Sequence, residues 1–165
     1  MTVIKNGQIT TAHPWTHLPD GETPGTGPFT VSLARWLQDK AALAALGQPV
    51  GVRLSAADEP DALVGDLSQL PLIVIEMAAF TDGRAFTQAR LLRERLGFAG
   101  EIRVIGDFLR DQMLFLARMG VDAFEFPEGT DLKDRLKAFD EFSLAYQPAA
   151  DQQTPVPRLR HPQTR

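Results

Sequence analysis

Apolar and polar residues follow two alternating patterns along the chain. Short apolar runs, of which residues 72–76 are the clearest, are typical of strands that are covered on both faces. Between them, apolar residues recur at helical spacing. The patterns predict five units of a strand followed by a helix, with strands at 29–32, 49–54, 72–76, 101–105 and 123–126, and helices at 34–46, 61–70, 83–96, 108–119 and 131–142.

Two segments lie outside these units. Asn6-Gly7 can adopt the two positive φ angles of a type I′ turn, so residues 3–10 are predicted to form an N-terminal hairpin. Residues 147–165 contain four prolines and few apolar side chains, which predicts a flexible tail. We therefore expect one domain over residues 1–146 and a Pro-rich tail over residues 147–165.

The five units predict an α/β fold with a mostly parallel sheet, because parallel strands are joined by right-handed crossovers. A doubly wound open sheet fits the length of 165 residues. A partial β/α barrel is the alternative, since a complete barrel needs about 250 residues. The pattern alone leaves both architectures open.

Composition narrows the classes of function. The chain has no cysteine, which excludes thiolate-held clusters and thiol nucleophiles, and its net charge of -4 argues against nucleic-acid binding. No apolar run is long enough to span a membrane and no signal peptide is evident, which predicts a cytoplasmic protein. The sequence has three histidines and no dinucleotide or phosphate-loop motif, so we expect no metal site and no cofactor. His13 and His17 are interpreted as packing or surface residues.

Charged residues follow several of the predicted strands. Ligands of parallel sheets bind outside the carboxyl ends of the strands. The charged residues expected near that edge are Arg53, Glu76, Glu125, and two Asp–Arg groups, Asp82 with Arg84 and Asp107 with Arg110. These residues are the first candidates for a site.

Arg84 and Arg110 stand in the first turns of their predicted helices, where a positive charge opposes the helix dipole. A compensating negative group is therefore expected beside each arginine. It is either a protein carboxylate such as Asp82, or an oxyanion bound by the guanidinium and the helix N-terminus. Gly83 and Gly106 would let the backbone approach such an anion. The aspartates that precede the two arginines are predicted to be helix N-caps.

Two predicted helices offer candidate contact surfaces. The helix over 83–96 carries Arg90, Arg93 and Arg95, which form either a solvated face or a docking surface for an acidic partner. Arg90 is also spaced to pair with the glutamate four residues later. The helix over 108–119 is apolar on nearly every side and is predicted to be buried, in the core or partly against a second copy of the chain.

Two stretches carry a resemblance to a known family. They are residues 80–97 (FTDGRAFTQARLLRERLG) and residues 100–112 (GEIRVIGDFLRDQ). They resemble the signature of a bacterial domain-of-unknown-function family whose members are associated, as oxidoreductases, with sulfite reduction. The resemblance runs from the hairpin to Pro148 and carries no catalytic residues with it.

Three functions are compatible with these observations. The resemblance implies an accessory protein of assimilatory sulfite reduction, which binds a sulfite reductase or helps to deliver electrons to it. The residues themselves suggest, as an alternative, an enzyme or sensor that binds a small oxyanion through Arg84 and Arg110. A homo-oligomeric scaffold without catalysis is the third. Whether the protein is an enzyme is left open.

Overall fold

A computed structural model describes residues 2–10, 14–151 and 153–160. Its strands are β1 (Thr2–Lys5), β2 (Gln8–Thr10), β3 (Thr16–His17), β4 (Phe29–Ser32), β5 (Val50–Leu54), β6 (Leu72–Met77), β7 (Glu101–Gly106) and β8 (Ala123–Phe126). Its helices are α1 (Leu33–Ala45), α2 (Arg84–Arg90), α3 (Arg110–Arg118), α4 (Leu132–Leu136) and α5 (Val156–Arg160). A π-helical turn, Leu91–Arg95, continues α2, and 3₁₀ turns cover Pro60–Leu63, Leu67–Gln69 and Lys137–Asp140. No helix within these ranges is both long and apolar enough to cross a membrane.

All eight strands belong to one sheet, in the order β2-β1-β8-β7-β6-β5-β4-β3. Strands β3 to β8 are parallel, and the β1–β2 hairpin is joined antiparallel to β8. The α/β class and the mostly parallel sheet are confirmed. The doubly wound arrangement is wrong, because it requires a reversal of strand order, whereas each parallel strand here lies beside its predecessor. Every right-handed crossover then places its helix on the same face.

The sheet curls into a half-barrel. Strands β3 and β8 are five positions apart in the sheet, which would be about 24 Å in a flat sheet at about 4.8 Å per strand. His17 Nε2 of β3 nevertheless lies 3.1 Å from Glu125 Oε1 of β8. The partial barrel was therefore the closer prediction, although eight strands build it rather than five β/α units alone.

The outer face of the half-barrel carries the apolar core. Val31, Val52, Ile73 and Ile102 lie side by side on four neighbouring strands and are fully buried. They belong to one cluster with residues of the helix layer, among them Trp36, Leu43, Leu92, Met113 and Leu116. Burying a side chain of this size contributes about 1.5–3 kcal/mol, so this layer dominates the hydrophobic stabilisation.

The N-terminal hairpin forms as predicted. Asn6 and Gly7 have φ angles of 50° and 71°, and the turn joins β1 to β2. Because β1 also pairs with β8, the hairpin covers that edge of the parallel strands. The short strand β3, at the opposite edge, was not predicted.

The predicted helix over 61–70 is wrong, since two 3₁₀ turns replace it. Asp66 lies between the turns and is almost fully buried. Its carboxylate accepts hydrogen bonds from Trp36 Nε1 at 2.9 Å and Gln69 Nε2 at 3.2 Å, and it pairs with Lys40. Burial raises the pKa of Asp66, but the hydrogen bonds from Lys40 and Trp36 outweigh burial and leave it below its ordinary value. Turning this carboxylate inward interrupts the helical path.

The predicted helix over 108–119 begins two residues late, at Arg110. Phe108 is instead a buried loop residue, whose ring centroid lies 5.7 Å from that of Phe124 and 5.2 Å from that of Phe126. These aromatic contacts fix the loop against β8, so the helix starts only after they are made.

The predicted tail begins with a segment that contacts α3. Arg118 Nη2 donates to the carbonyl oxygen of Gln147 at 2.6 Å, and Arg118 Nε donates to Asp151 Oδ2 at 2.9 Å. Val156 N, at the start of α5, donates to the carbonyl oxygen of Ala145 at 2.8 Å. The flexibility of residues 147–165 stays a prediction.

Candidate functional site

The inner face of the half-barrel carries charged and polar side chains among apolar ones. Along each strand, alternate residues point to opposite faces, and the register places Arg53, Val74 and Arg103 side by side on the inner face of β5, β6 and β7. The polar residues gathered there, called here the inner-face network, are Lys5, His17, Thr30, Arg53, Glu76, Glu101, Arg103 and Glu125.

The first half of the inner-face network starts at the carboxyl ends of the strands. Arg53 Nε donates to Glu76 Oε1 at 2.9 Å, and Arg53 Nη1 donates to Thr30 Oγ1 at 3.1 Å. Arg53 Nη2 also donates to the carbonyl oxygen of Leu18 at 3.0 Å, which holds the chain beside β3. His17 Nδ1 lies 2.8 Å from Thr30 Oγ1 and continues the network across the barrel.

The second half leads to the amino ends of the strands. Glu125 contacts His17 through Oε1 and accepts a hydrogen bond from Arg103 Nη1 on Oε2, at 2.9 Å. Arg103 Nη2 donates to Glu101 Oε1 at 2.6 Å, and Lys5 Nζ donates to Glu101 Oε2 at 2.6 Å. Three cations thus face three carboxylates, so the charges of the lysine, the two arginines and the three glutamates cancel.

Burial is deepest at the centre of the network. The side chains of Arg103 and Glu125 are 4% and 1% exposed. Desolvating two charges is costly, and removing one member of such a pair leaves the other buried without compensation. At the amino end, burial acts to raise the pKa of Glu101, but the hydrogen bond from Lys5 and the charge of Arg103 more than offset it, so the pKa is lowered.

The inner-face network connects two open pockets. The pocket at the carboxyl ends, of about 230 Å³, includes Asp20, Ser32, Arg53, Ser55, Asp58 and Glu76 in its lining. The pocket at the amino ends, of about 300 Å³, includes Lys5, Asn6, Arg93, Gly100, Glu101 and Asp122. The network therefore runs through the barrel from one end to the other.

Thr30, His17 and Glu125 are connected in the order of a nucleophile, a base and an orienting acid. Thr30 is completely buried, however, and its hydroxyl oxygen already accepts a hydrogen bond from Arg53. A substrate therefore has no access to this hydroxyl, and the arrangement organises the barrel interior. Across the described ranges, no three histidine or acidic residues are grouped so that they could hold a metal ion.

The sequence indicated only part of the inner-face network. Arg53, Glu76 and Glu125 were expected near the carboxyl edge, whereas His17, Thr30 and Arg103 were missed. A signal for Arg103 was present, because a charged residue within the apolar run of β7 marks an interior-facing row. His13, which like His17 was predicted to be a packing or surface residue, lies outside the described residues.

Arg84 and Arg110 begin α2 and α3, as predicted, and each meets carboxylates. Arg84 Nη2 donates to Asp82 Oδ2 at 2.6 Å, and this hydrogen bond holds the pKa of Asp82 at about 2. Arg110 Nη2 donates to Glu141 Oε1 at 2.5 Å, and Nη1 donates to Asp134 Oδ1 at 3.2 Å. These carboxylates supply the compensating charge, and the oxyanion site stays a prediction.

The two predicted N-caps are displaced. The cap of α2 is Gly83, although Asp82 Oδ1 does accept a hydrogen bond from Arg84 N at 3.1 Å. The cap of α3 is Leu109, whose N–H donates to Gln112 Oε1 at 3.0 Å. Asp107 does not cap, because the buried ring of Phe108 delays the start of the helix.

Gly106 and Gly83 differ in their backbone conformation and in the space available for a side chain. Gly106 has a φ of 103°, and a Cβ there would lie 2.2 Å from the carbonyl oxygen of Met77. Glycine is thus required for the close approach of the ends of β6 and β7. Gly83 has a φ of −76° and open space around its Cα. Neither geometry is specific for an anion.

The three arginines of the α2 region have different surroundings. Arg90 Nε donates to Glu94 Oε2 at 2.7 Å, which confirms the predicted pair. Arg93 Nε and Nη1 donate to the carbonyl oxygens of Gly120 and Gly100, each at 2.9 Å, and Arg93 also pairs with Asp122. Arg93 therefore joins loops at the amino end of the sheet. Arg95 pairs with Asp61, and a docking role for the three arginines stays a prediction.

An apolar groove lies between α3 and the segment that follows α4. Its volume is about 310 Å³, and its lining, called here the aromatic groove, is Leu114, Phe115, Arg118, Phe142, Leu144, Ala145, Tyr146, Gln147 and Gln153. Phe142 is 60% exposed and Tyr146 is 75% exposed. Phe115 of α3 is exposed, and the centroid of its ring lies 6.4 Å from that of Phe142, with the rings tilted by 47°. The core therefore buries only part of α3, and cover by a second copy of the chain stays a prediction.

Comparison with known proteins identifies the family. The chain matches none of the curated proteins. The family described as "Bacterial protein of unknown function (DUF934)" matches residues 51–157, which is well over half of the chain. The match includes both stretches that carry the resemblance, begins later than the hairpin and continues beyond Pro148. The chain therefore belongs to this bacterial family, DUF934.

Proposed function

We propose that this protein is an accessory protein of assimilatory sulfite reduction that acts by binding a sulfite reductase. The resemblance of residues 80–97 and 100–112 supports the link to sulfite reduction. The aromatic groove supports the mode of action, and its exposure is the observation that carries the proposal. Clustered exposed apolar side chains on a folded domain mark contact sites for other macromolecules.

The composition of the aromatic groove favours a protein partner over a small substrate. Tyrosine and other aromatic residues are enriched at protein interfaces, and tyrosine is enriched among the few residues that contribute most of the binding energy. The one charged group of the groove, Arg118, is already paired with Asp151. The groove thus offers a large apolar contact without the convergent polar groups that orient a small substrate.

Binding is the mode that we favour over catalysis in this chain. The polar side chains of the inner-face network bond with one another, and the central ones are buried. Thr30, the nearest candidate nucleophile, has no exposed surface. A partner that carries the active centre would contact the exposed aromatic groove. It would require no free catalytic group in the inner-face network, whose polar side chains bond with one another.

The direct test mixes the full chain with the purified sulfite reductase holoenzyme of the same organism and measures the dissociation constant by calorimetry. We expect the double variant Phe142→Ser/Tyr146→Ser to bind about 10-fold more weakly or worse, as for the loss of interface aromatics. Leu37→Ser is the matched control, since Leu37 is an exposed apolar residue on α1. Absence of binding by the wild type, or equal binding by all three proteins, contradicts the proposal.

A growth experiment tests the link to sulfite reduction separately. Deletion of the gene is expected to impair growth on sulfate or sulfite as the sulfur source, and to leave growth on cysteine unchanged. Complementation with the wild-type gene should restore growth on both inorganic sources. Equal growth of the deletion strain on all three sources would contradict the assignment.

A further inference from the structure

The two stretches that carry the family resemblance meet outside the aromatic groove. Gln112 Nε2 donates to the carbonyl oxygen of Phe80 at 2.7 Å, and Gln112 Oε1 accepts from Leu109 N at 3.0 Å. The Gln112 side chain therefore joins the loop after β6 to the loop after β7. Phe80 and Leu109 are 45% and 40% exposed. We call Phe80, Asp107, Leu109, Asp111 and Gln112 the carboxyl-edge surface.

The carboxyl-edge surface has two carboxylates without a cation. Asp107 and Asp111 are exposed, and neither forms an ion pair with any of the residues that the structure describes. Asp111 is favoured by its place in the first turn of α3, but Asp107 precedes the helix. By contrast, the carboxylates of four other residues each pair with an arginine: Asp82, Asp134, Glu141 and Asp151. Among the described residues, the negative charge of this surface is therefore uncompensated.

Helix α3 links the carboxyl-edge surface to the aromatic groove. Asp111, Phe115 and Arg118 are spaced by four and three residues, so they follow one face of the helix. At 1.5 Å per residue, the ten residues from Leu109 to Arg118 extend over about 14 Å. One continuous strip thus has an acidic end, with two exposed apolar side chains, and an aromatic end.

We infer that the partner docks along α3, with an apolar anchor in the aromatic groove and a lysine- or arginine-rich segment against Asp107 and Asp111. This inference rests on the proposed function and specifies the chemistry of the partner's surface. Charge complementarity identifies the occupant, because like charges that face each other across an interface are costly. In a two-fold contact, a second copy of this chain would bring its own acidic end against this surface. The free carboxylates instead fit a basic partner.

The first experiment measures binding of the full chain to the sulfite reductase holoenzyme at low and high salt. Asp107→Asn/Asp111→Asn should weaken binding about 2-fold to 10-fold at low salt, as expected for two rim charges, and much less at high salt. Phe142→Ser should weaken binding equally at both salt concentrations. The matched control is Asp39→Asn, on the surface of α1. Reductase binding that is independent of Asp107 and Asp111 overturns the inference and leaves the proposed function intact.

The second experiment does not depend on the reductase. The peptides Lys-Lys-Phe-Leu-Lys-Lys and Glu-Glu-Phe-Leu-Glu-Glu are titrated into the isotope-labelled full chain, and amide chemical shifts are followed by NMR. We expect saturable shifts at residues 80 and 107–112 with the lysine peptide only, and their loss in Asp107→Asn/Asp111→Asn. Equal effects of both peptides, or shifts confined to other residues, overturn the inference.

The reductase-binding and peptide experiments test the proposed function and the basic partner segment separately. Binding of the lysine peptide without binding of the reductase contradicts the proposed function and supports the chemistry of the carboxyl-edge surface. Self-association of the chain in sedimentation, abolished by Phe142→Ser, would assign the strip to a second copy and overturn the inference.

Discussion

The outer and inner faces of the half-barrel are built from alternate residues of the same strands, yet they are stabilised differently. On the outer face, Val52 and Ile73 contact other apolar side chains. On the inner face, Arg53 and Arg103 occupy the neighbouring row and bond to carboxylates. An apolar contact is non-directional, whereas each buried ion pair requires one defined partner. We therefore expect the outer face to provide most of the stability and the inner face to select the strand arrangement.

The largest effect should come from breaking the central ion pair of the inner-face network. Arg103→Met leaves Glu125 buried without its guanidinium partner, and we expect a loss of about 3–5 kcal/mol of unfolding free energy. Arg103→Met/Glu125→Leu should recover much of this loss, because apolar replacement of both members is often tolerated. Urea unfolding of the two variants measures both values.

The matched control for the ion pair lies on the outer face. Ile102→Val should cost about 0.5–1.5 kcal/mol, with no second substitution that restores the stability. The loss of unfolding free energy in the double variant at Arg103 and Glu125 could instead equal the sum of the losses in its two single variants. The inner face would then behave like the outer face, where a second substitution does not restore stability.

The next largest loss of stability is expected at the ends of β6 and β7, two strands that contribute to both faces of the sheet. Gly106→Ala should destabilise the fold by about 1–3 kcal/mol, because alanine at this positive φ is strained and its Cβ would meet the carbonyl oxygen of Met77. Gly83→Ala is the control and should be neutral or stabilising by up to about 1 kcal/mol. Thermal unfolding of the two variants compares them, and equal melting temperatures would contradict the close approach of β6 and β7.

A smaller effect is expected on the dependence of stability on pH. The pKa of Glu101 is lowered in the folded state, so its carboxylate stabilises the fold above the ordinary pKa of 4.5. This contribution is lost as the pH falls from about 4.5 through the lower folded value. Glu101→Gln should therefore flatten the pH dependence of the unfolding free energy in that acidic window. Glu94→Gln, which makes the same change of charge in an exposed pair with Arg90, is the control variant.

The smallest effect on stability is expected from the exposed ion pairs, in which arginine and carboxylate groups meet in solvent. Arg84→Ala/Arg110→Ala should lower the melting temperature only slightly, because solvent screens exposed pairs. Low-millimolar sulfate should raise the melting temperatures of wild type and variant equally, since carboxylates already compensate both arginines. A sulfate response that is present in the wild type and lost in the variant would instead establish the oxyanion site predicted from the sequence.

Local sequence patterns were sufficient to predict the five main strands and the parallel sheet. The apolar run of β6 and the Asn6-Gly7 turn are local signals, and both elements form where expected. The curl of the sheet was not predictable in this way, because it is expressed in the contact between His17 and Glu125, which are 108 residues apart. The missing second helix has the same origin, since Asp66 meets Trp36 and Lys40 from α1.

Residues of the candidate site were predictable from the sequence only where they stand near the end of a predicted strand. Arg53 and Glu76 stand near strand ends, and the structure does place them beside the carboxyl-end pocket. The carboxylates expected beside Arg110 were those of Asp82, Glu76 or Glu125. The observed partners, Asp134 and Glu141, instead come from α4 and the segment that follows it. Pairing between distant charged residues depends on tertiary folding, which spacing along the chain does not reveal.

The position of the outer strands has a consequence for anyone who produces this domain. The family match starts at residue 51, within β5, yet β4 covers the free edge of β5 and β1 covers that of β8. A fragment of residues 51–157 would expose two rows of unpaired backbone N–H and C=O groups. Open strand edges pair with other molecules, so this fragment is expected to aggregate during expression, whereas a fragment that retains β1 to β4 should stay dispersed.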